Sequence, residues 1–250
     1  MKSFCKFLIA LSIFFTACEE EPIDDSNNPS SPENGTLKIN IIGKHGSDDF
    51  VLYSDAVNTS GLDYRVEQIK FYVSNITTGN INTNDAFLVD LVNNHLSEGS
   101  TGESISISLT PGDYSGLSFL IGLDSLTNHG DPSLYEQEHP LSSFTGMHWD
   151  WSQGYKFMIL DGKTDSDNDS IPDLSYSYHI GNDDYLQTIS FDTPINIHEN
   201  QTTEINVYMD VQNFFHGIDM INDAFTHSTS NFPLVIKLTD NISNSFSLNP

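Results

Sequence analysis

Cysteine and basic residues are both scarce in this chain, and each scarcity excludes chemistry. The chain has two cysteines, Cys5 and Cys18, both at its start. Everything after Cys18 lacks a thiol. It can form no disulfide, zinc ribbon, iron–sulfur cluster or cysteine nucleophile, and a metal there must be held by nitrogen, oxygen or thioether donors. Lysine and arginine number 9 against 35 acidic residues, a formal charge of -26. Such a chain repels nucleic acid and anionic membranes and suits cations or a basic partner. Charged residues are nevertheless only 18% of the total, with Asn, Ser and Thr filling the polar positions, so this is not a disordered acidic tail. Recognisable nucleophile motifs are missing as well. There is no G-x-S-x-G, no H-E-x-x-H and no phosphate-binding glycine loop, and the abundant carboxylates single out no glycosidase pair. The residues make no case for an enzyme.

The first seventeen residues read as a secretion signal. Lys2 and Lys6 give a positive start, and the apolar run Phe7 to Phe15 is too short to span a bilayer as a helix. Phe15-Thr16-Ala17-Cys18 has the form of a lipobox, with Cys18 where diacylglycerol would be attached. Glu19-Glu20-Glu21 resembles the acidic export signal of surface lipoproteins in Bacteroidetes. Diacylglycerol with a further acyl chain would anchor firmly where a single chain does not. The expectation is therefore a lipoprotein of the cell envelope, held in the outer membrane through its lipid. Residues 18–35 form an acidic and polar tether rich in Pro, Ser and Asn, with nothing to bury. Residues 36–250 are long enough for one well-buried domain.

That domain reads as all-β. Thr36 to Gly43 alternates through Leu37, Ile39 and Ile41. Tyr64 to Ile76 alternates through Val66, Ile69, Phe71 and Val73, with a break at Glu67-Gln68 that marks a bulge. Ser104 to Leu109 alternates strictly, Pro111-Gly112 turns, and Gly116 to Leu123 returns. Phe50 to Tyr53, Phe87 to Val92, Tyr155 to Leu160, Leu174 to Ile180, Thr188 to Phe191, Glu204 to Val211 and Leu234 to Leu238 complete the expected strands. Many short, mainly antiparallel strands with one or two short helices indicate a β-sandwich. No fixed period suggests repeats.

Both tryptophans, Trp149 and Trp151, fall in GMHWDWSQGYKF, Gly146 to Phe157. On a regular strand they share one face, with His148 and Asp150 on the other. This segment resembles the central motif of the MbnP-like copper-binding family, whose site is related to those of MopE and CorA. Four further stretches agree: Tyr114 to Asp124, His139-Pro140-Leu141, Tyr178-His179-Ile180-Gly181, and Val211 to Gly217 preceded by Asp210. Together they span most of residues 36–240. The resemblance implies copper held by two histidines, with one tryptophan, Trp149 or Trp151, oxidised to kynurenine by a partner diheme cytochrome c peroxidase of the MbnH type. By position, His179 is the first ligand, and His139 and His148 compete for second place. Strand alternation favours His139, unless a bulge turns His148 round. Neutral imidazole suits copper, and Met147 could add a thioether. Plainer readings stand beside this one: a tryptophan pair at a core rim, a satisfied core histidine at 179, a turn residue at 139.

A second motif, DSDNDSIPD, places Asp165, Asp167, Asp169 and Asp173 at spacings that resemble calcium loops, with Ser170 where a glycine is expected and no closing glutamate. The alternative it supports is a calcium-stabilised surface adhesion or glycan-binding module, with Trp149, Trp151 and Tyr155 stacking on sugar rings. A solvated acidic hairpin tip is the plain reading.

Overall fold

A computed structural model describes residues 33–91, 101–149 and 153–249, together with the backbone of residue 150. The proposed signal, Cys18, the tether up to residue 32 and Trp151 lie outside the described residues. Fifteen strands follow in chain order: β1 (Gly35–His45), β2 (Asp48–Asp49), β3 (Asp55–Val57), β4 (Asp63–Thr78), β5 (Ile81–Asn82), β6 (Ala86–Asp90), β7 (Gly102–Leu109), β8 (Gly112–Ile121), β9 (His148–Asp150), β10 (Gly154–Thr164), β11 (Leu174–Gly181), β12 (Gln187–Ile197), β13 (Thr202–Asp210), β14 (Phe225–Thr226) and β15 (Phe246–Ser247). Three helices accompany them: α1 (Ser125–Asn128), α2 (Val211–Phe214) and α3 (Phe232–Ser243).

The strands form two sheets. The smaller runs β15-β13-β1-β2, with β7 also on β1, and the larger runs β12-β8-β4-β10-β11-β14. Alternation decides which side chains face the shared core. Leu37, Ile39 and Ile41 on β1 and Val66, Ile69, Phe71 and Val73 on β4 are all buried in one cluster, while Lys38 and Asn40 point outward to Glu204. Full burial of each such side chain contributes about 1.5–3 kcal/mol before conformational entropy is subtracted. The expected all-β sandwich is the fold observed. Most pairings are antiparallel, but β1 runs parallel to β13 and β11 parallel to β14. The Pro111 turn does not close a hairpin. It passes the chain from β7 in the smaller sheet to β8 in the larger.

The bulge expected at Glu67-Gln68 is present. Asp161 pairs with Gln68 and Gly162 with Val66, which leaves Glu67 as the extra residue. Two expected strands are corrected. Phe50 to Tyr53 is a turn preceding β3. Leu234 to Leu238 lies inside α3, a helix of 12 residues that buries Leu234, Val235, Leu238, Thr239 and Ile242 on one face. That spacing is helical, and Pro233 suits the first turn of a helix. Among the described residues the helices thus number three, where one or two were expected.

One feature of the larger sheet positions residues 122–149. β10 pairs with the first half of β4, from Tyr64 to Phe71, and β8 with the second half, from Val73 to Thr77. The chain leaves the sheet at the end of β8 and returns at the start of β10, both near the middle of β4. Residues 122–149 are folded over that point. They cover a second, smaller core of Tyr72, Leu123, Leu141, Met147, Tyr155, Phe157 and Ile159. Two tyrosines pin this cover. Tyr72 donates to Pro140 O at 2.8 Å and Tyr155 to Leu141 O at 2.6 Å, with their rings edge to face.

Candidate metal centre

β10 and β11 are antiparallel, with Ile159 opposite His179 and Asp161 opposite Ser177. Cross-strand partners share a face. Met158, Leu160, Tyr176, Tyr178 and Ile180 point into the main core. Ile159, Asp161, Ser177, His179 and Gly181 therefore lie on the outer face.

On that face His179 Nε2 lies 3.1 Å from Ser177 Oγ and 3.2 and 3.3 Å from the two Asp161 carboxylate oxygens. An ionised carboxylate can only accept, so Nε2 carries a proton in this contact. This is the arrangement in which a carboxylate orients a ligating histidine. His227 stacks on the same imidazole, with centroids 4.8 Å apart and planes 8° apart. β14 delivers it, because Ser177 pairs with Phe225 and Tyr178 with Thr226, and the next residue along is His227. The turn is then locked: Ser228 Oγ accepts from Gly181 N at 2.8 Å and donates to His179 O at 3.0 Å. Burial first, then the charges of His179 and Lys156, hold the His227 pKa below the usual imidazole range, with Asp161 opposing. That shift favours the neutral form of His227.

Trp149 meets the same face. A Cβ built on Gly181 would lie 2.5 Å from Trp149 Cζ3 and 3.0 Å from Cη2. The six-membered ring of the indole thus rests where Gly181 has no side chain, two residues along β11 from His179. The turn before Trp149 is held by two lysines: Lys70 Nζ donates to Thr145 O at 3.1 Å and Lys156 Nζ to Gly146 O at 2.7 Å. Gly146 has a φ of 73°, a left-handed conformation that glycine adopts at least cost.

His148 lies against the Tyr155 ring, edge to face at 4.7 Å. Its neighbour Trp149 reaches Gly181 instead, as the alternation requires. Met147 is fully buried in the smaller core. His139 stacks on Tyr135 at 4.2 Å, and its Nδ1 accepts from Leu141 N at 3.1 Å. It lines a shallow cavity with Asn84, Asp85 and Thr127. Of the residues marked by the sequence, the fold brings together His179 and Trp149. It adds Asp161 and His227, which sequence reasoning passed over. Asp161 is two residues beyond Ile159, on an alternating strand that was expected to end at Leu160. His227 carries no sequence signal, being a lone histidine in a Ser/Thr loop.

The aspartate loop is a separate cluster. Asp165, Asp167 and Asp169 each offer an oxygen within 4.8 Å of the others, and among the described residues no other three His, Cys, Asp or Glu side chains come so close. Asp165 is buried and accepts from the N–H groups of Asp167, Asn168 and Ser170. Burial works to raise its pKa, but the backbone donors prevail and hold it low. The charge of Asp169 pushes Asp167 upward. Ser170, where a glycine was expected, has a φ of 66°. Asp173 is not in the triple and accepts from Ser166 Oγ.

Comparison with known proteins places the fold and the family. A search of curated protein sequences gave no match. Among solved structures, MbnP from Methylosinus trichosporium superposes with a TM-score of 0.61 at 14% identity, over 86% of this chain and 98% of that one. At that identity the likeness speaks for the fold. The MbnP family model matches residues 34–231, a span that includes the tryptophan segment, His179 and His227. The chain belongs to the MbnP family.

Proposed function

We propose that this chain is a copper-binding protein of the bacterial cell envelope, which acquires, stores or passes on the metal and catalyses no reaction of its own. The observation that carries the reading is the meeting of His179, His227 and Asp161 beside the seat of Trp149, inside the family's domain. The donor set fits. Neutral imidazole suits copper in either oxidation state, and a chain without thiols after Cys18 offers no competing thiolate. His179 and His227 would hold the ion, and Asp161 would orient His179. His139 and His148, set in other surroundings, would not be needed. Copper would supply a redox-active or transferable cation. If Trp149 or Trp151 is oxidised to kynurenine, that residue would add carbonyl and amine donors. The oxidant would be a secreted diheme peroxidase of the MbnH type. Lipid on Cys18 would hold the protein in the outer membrane.

The test is elemental analysis of the mature protein, exported to a periplasm, exposed to copper and calcium together and then desalted. About one copper per chain, absent from His179→Ala and from His227→Ala, is expected of a two-imidazole site. Copper retained by both variants overturns the assignment. Mass spectrometry of the tryptophan peptide, with and without the co-expressed peroxidase, tests the modification. Labelling with palmitate that Cys18→Ala abolishes tests the anchor.

The aspartate triple favours a second reading, a calcium-stabilised adhesion or glycan-binding module, which calcium without copper in the same analysis would support. Its aromatic platform needs correction. Tyr155 is fully buried, with its hydroxyl bonded to Leu141 O, and cannot stack on a sugar.

A further inference from the structure

β7 stands at the rim of the smaller sheet. Among the described residues it pairs only with β1, from Gly102 opposite Ile42 to Leu109 opposite Gly35, with no break in register. Its side chains alternate: Ile105, Ile107 and Leu109 are buried in the core, while Ser104, Ser106 and Ser108 are exposed on the other face.

The backbone of β7 alternates too, and β1 shows in which sense. Thr36 N donates to Gln201 O, toward β13, and Gly43 N donates to Thr101 O, toward β7, each at 2.8 Å. Successive residues of a strand turn their N–H and C=O groups to opposite sides. The odd-numbered residues of β1 therefore bond to β7, through the pairs Gly35–Leu109, Leu37–Ile107, Ile39–Ile105 and Ile41–Glu103. The N–H and C=O groups of Ser104, Ser106 and Ser108 face away from the sheet. In keeping with this, Ser104 N donates to the side chain of its own neighbour, Glu103 Oε1, at 3.1 Å.

An outward row of backbone groups is a template for another strand, and folds usually guard it with proline, lysine or a bulge. β12, at the edge of the larger sheet, is guarded. It contains Pro194, and a bulge falls between Phe191 and Pro194. β7 contains no proline, no lysine and no bulge, and its one charged residue is Glu103, near its start.

We infer that β7 pairs with β7 of a second copy of this chain, antiparallel about a two-fold axis at Ser106. In that register Ser106 meets its own copy and Ser104 meets Ser108, so the three outward residues of each strand face one another and exchange backbone hydrogen bonds. The isoleucines stay on the core side and the serines on the other. Charge favours a second copy at this edge even though the whole chain carries -26. Serine lines the seam, and the two Glu103 residues fall six positions apart along it, about 20 Å. One strand edge buries less surface than a permanent dimer needs, so the association is weak and depends on concentration. It shares no residue with the proposed copper ligands, so either can fail without the other.

The test is sedimentation equilibrium of the mature chain carrying Cys18→Ser, in a concentration series up to about 1 mM. A monomer–dimer equilibrium is expected, and salt should strengthen it by screening the repulsion between two acidic chains. Ser106→Pro deletes an N–H that the fold itself does not use, as an edge strand allows. It should weaken the dimer about tenfold or more and leave the melting temperature close to that of the native protein. Ser106→Lys, which sets two ammonium groups against each other at the axis, should also weaken the dimer, and it keeps the test standing if the proline disturbs the strand. The register is read by cross-linking. In Ser106→Cys the two Cα atoms would lie about 5.5 Å apart, within reach of a disulfide, and mild oxidation should join the copies. In Ser104→Cys the thiols would lie about 13 Å apart along the strands and should stay free. A monomer at every concentration, undiminished dimer in both Ser106→Pro and Ser106→Lys, or equal cross-linking of the two cysteine variants would each overturn the proposal.

Discussion

The imidazoles of His179 and His227 lie face to face, 4.8 Å between centroids and 8° from parallel, although 48 residues separate them in the chain. Asp161 holds only the first of them, so the two histidines are not equivalent. Asp161→Asn keeps the size of the side chain but weakens the acceptor that fixes the His179 tautomer. Copper affinity should fall about 10–100-fold with the stoichiometry intact. Competition with a chelator of known affinity measures this, and an unchanged affinity would remove Asp161 from its positioning role.

Gly181→Ala should damage the same site by bulk. Its Cβ would come within 2.5 Å of both Trp149 Cζ3 and Tyr155 O. The indole can move and the carbonyl of β10 cannot. A loss of about 1–3 kcal/mol is expected for such overpacking, read from urea denaturation, together with a red shift of tryptophan emission as the indole is pushed toward solvent.

The cover over the smaller core should loosen in acid. Asn128 is fully buried. It donates to Asp183 Oδ1 at 2.7 Å and accepts from Tyr155 N at 2.8 Å, tying the cover to β10. Partial burial works to raise the Asp183 pKa, but hydrogen bonds from Ser125 and Asn128 and the nearby His129 outweigh it, and the pKa is held low. A carboxylate with a depressed pKa stabilises the fold above its unfolded-state value, and that contribution is lost as pH falls through the folded-state value. Thermal melts of the native protein and Asp183→Asn should therefore differ near neutral pH and converge below the ordinary aspartate range. A constant difference would contradict the assignment.

Ser170→Gly should stabilise the aspartate loop. A side chain at a φ of 66° carries a penalty of about 1 kcal/mol that glycine avoids. A modest rise in melting temperature is expected in the absence of metal, and a fall would show that the hydroxyl has a role of its own.

The sheets were legible because burial on one face writes a period of two into β1, β4, β7 and β11, and even the extra residue at Glu67 broke that period visibly. The helix α3 was misread because Leu234 to Leu238 is a short apolar run, for which periodicity alone does not separate strand from helix. The next turn, with Ile242 on the buried face, is what distinguishes them. At the site, His179 and Trp149 stand in motifs, whereas His227 joins them only through the parallel pairing of the two-residue strand β14 with β11. No local pattern encodes a contact of that range.

The seat of Trp149 on Gly181 involves Cζ3 and Cη2, both atoms of the benzene half of the indole. Conversion to kynurenine opens the pyrrole half and leaves the benzene ring whole. The strand would therefore grip the same ring before and after such a change, and the newly exposed polar atoms would emerge on the side away from that grip. Were Trp149 the residue so altered, the backbone would hold it in place without refolding, and the change would follow folding.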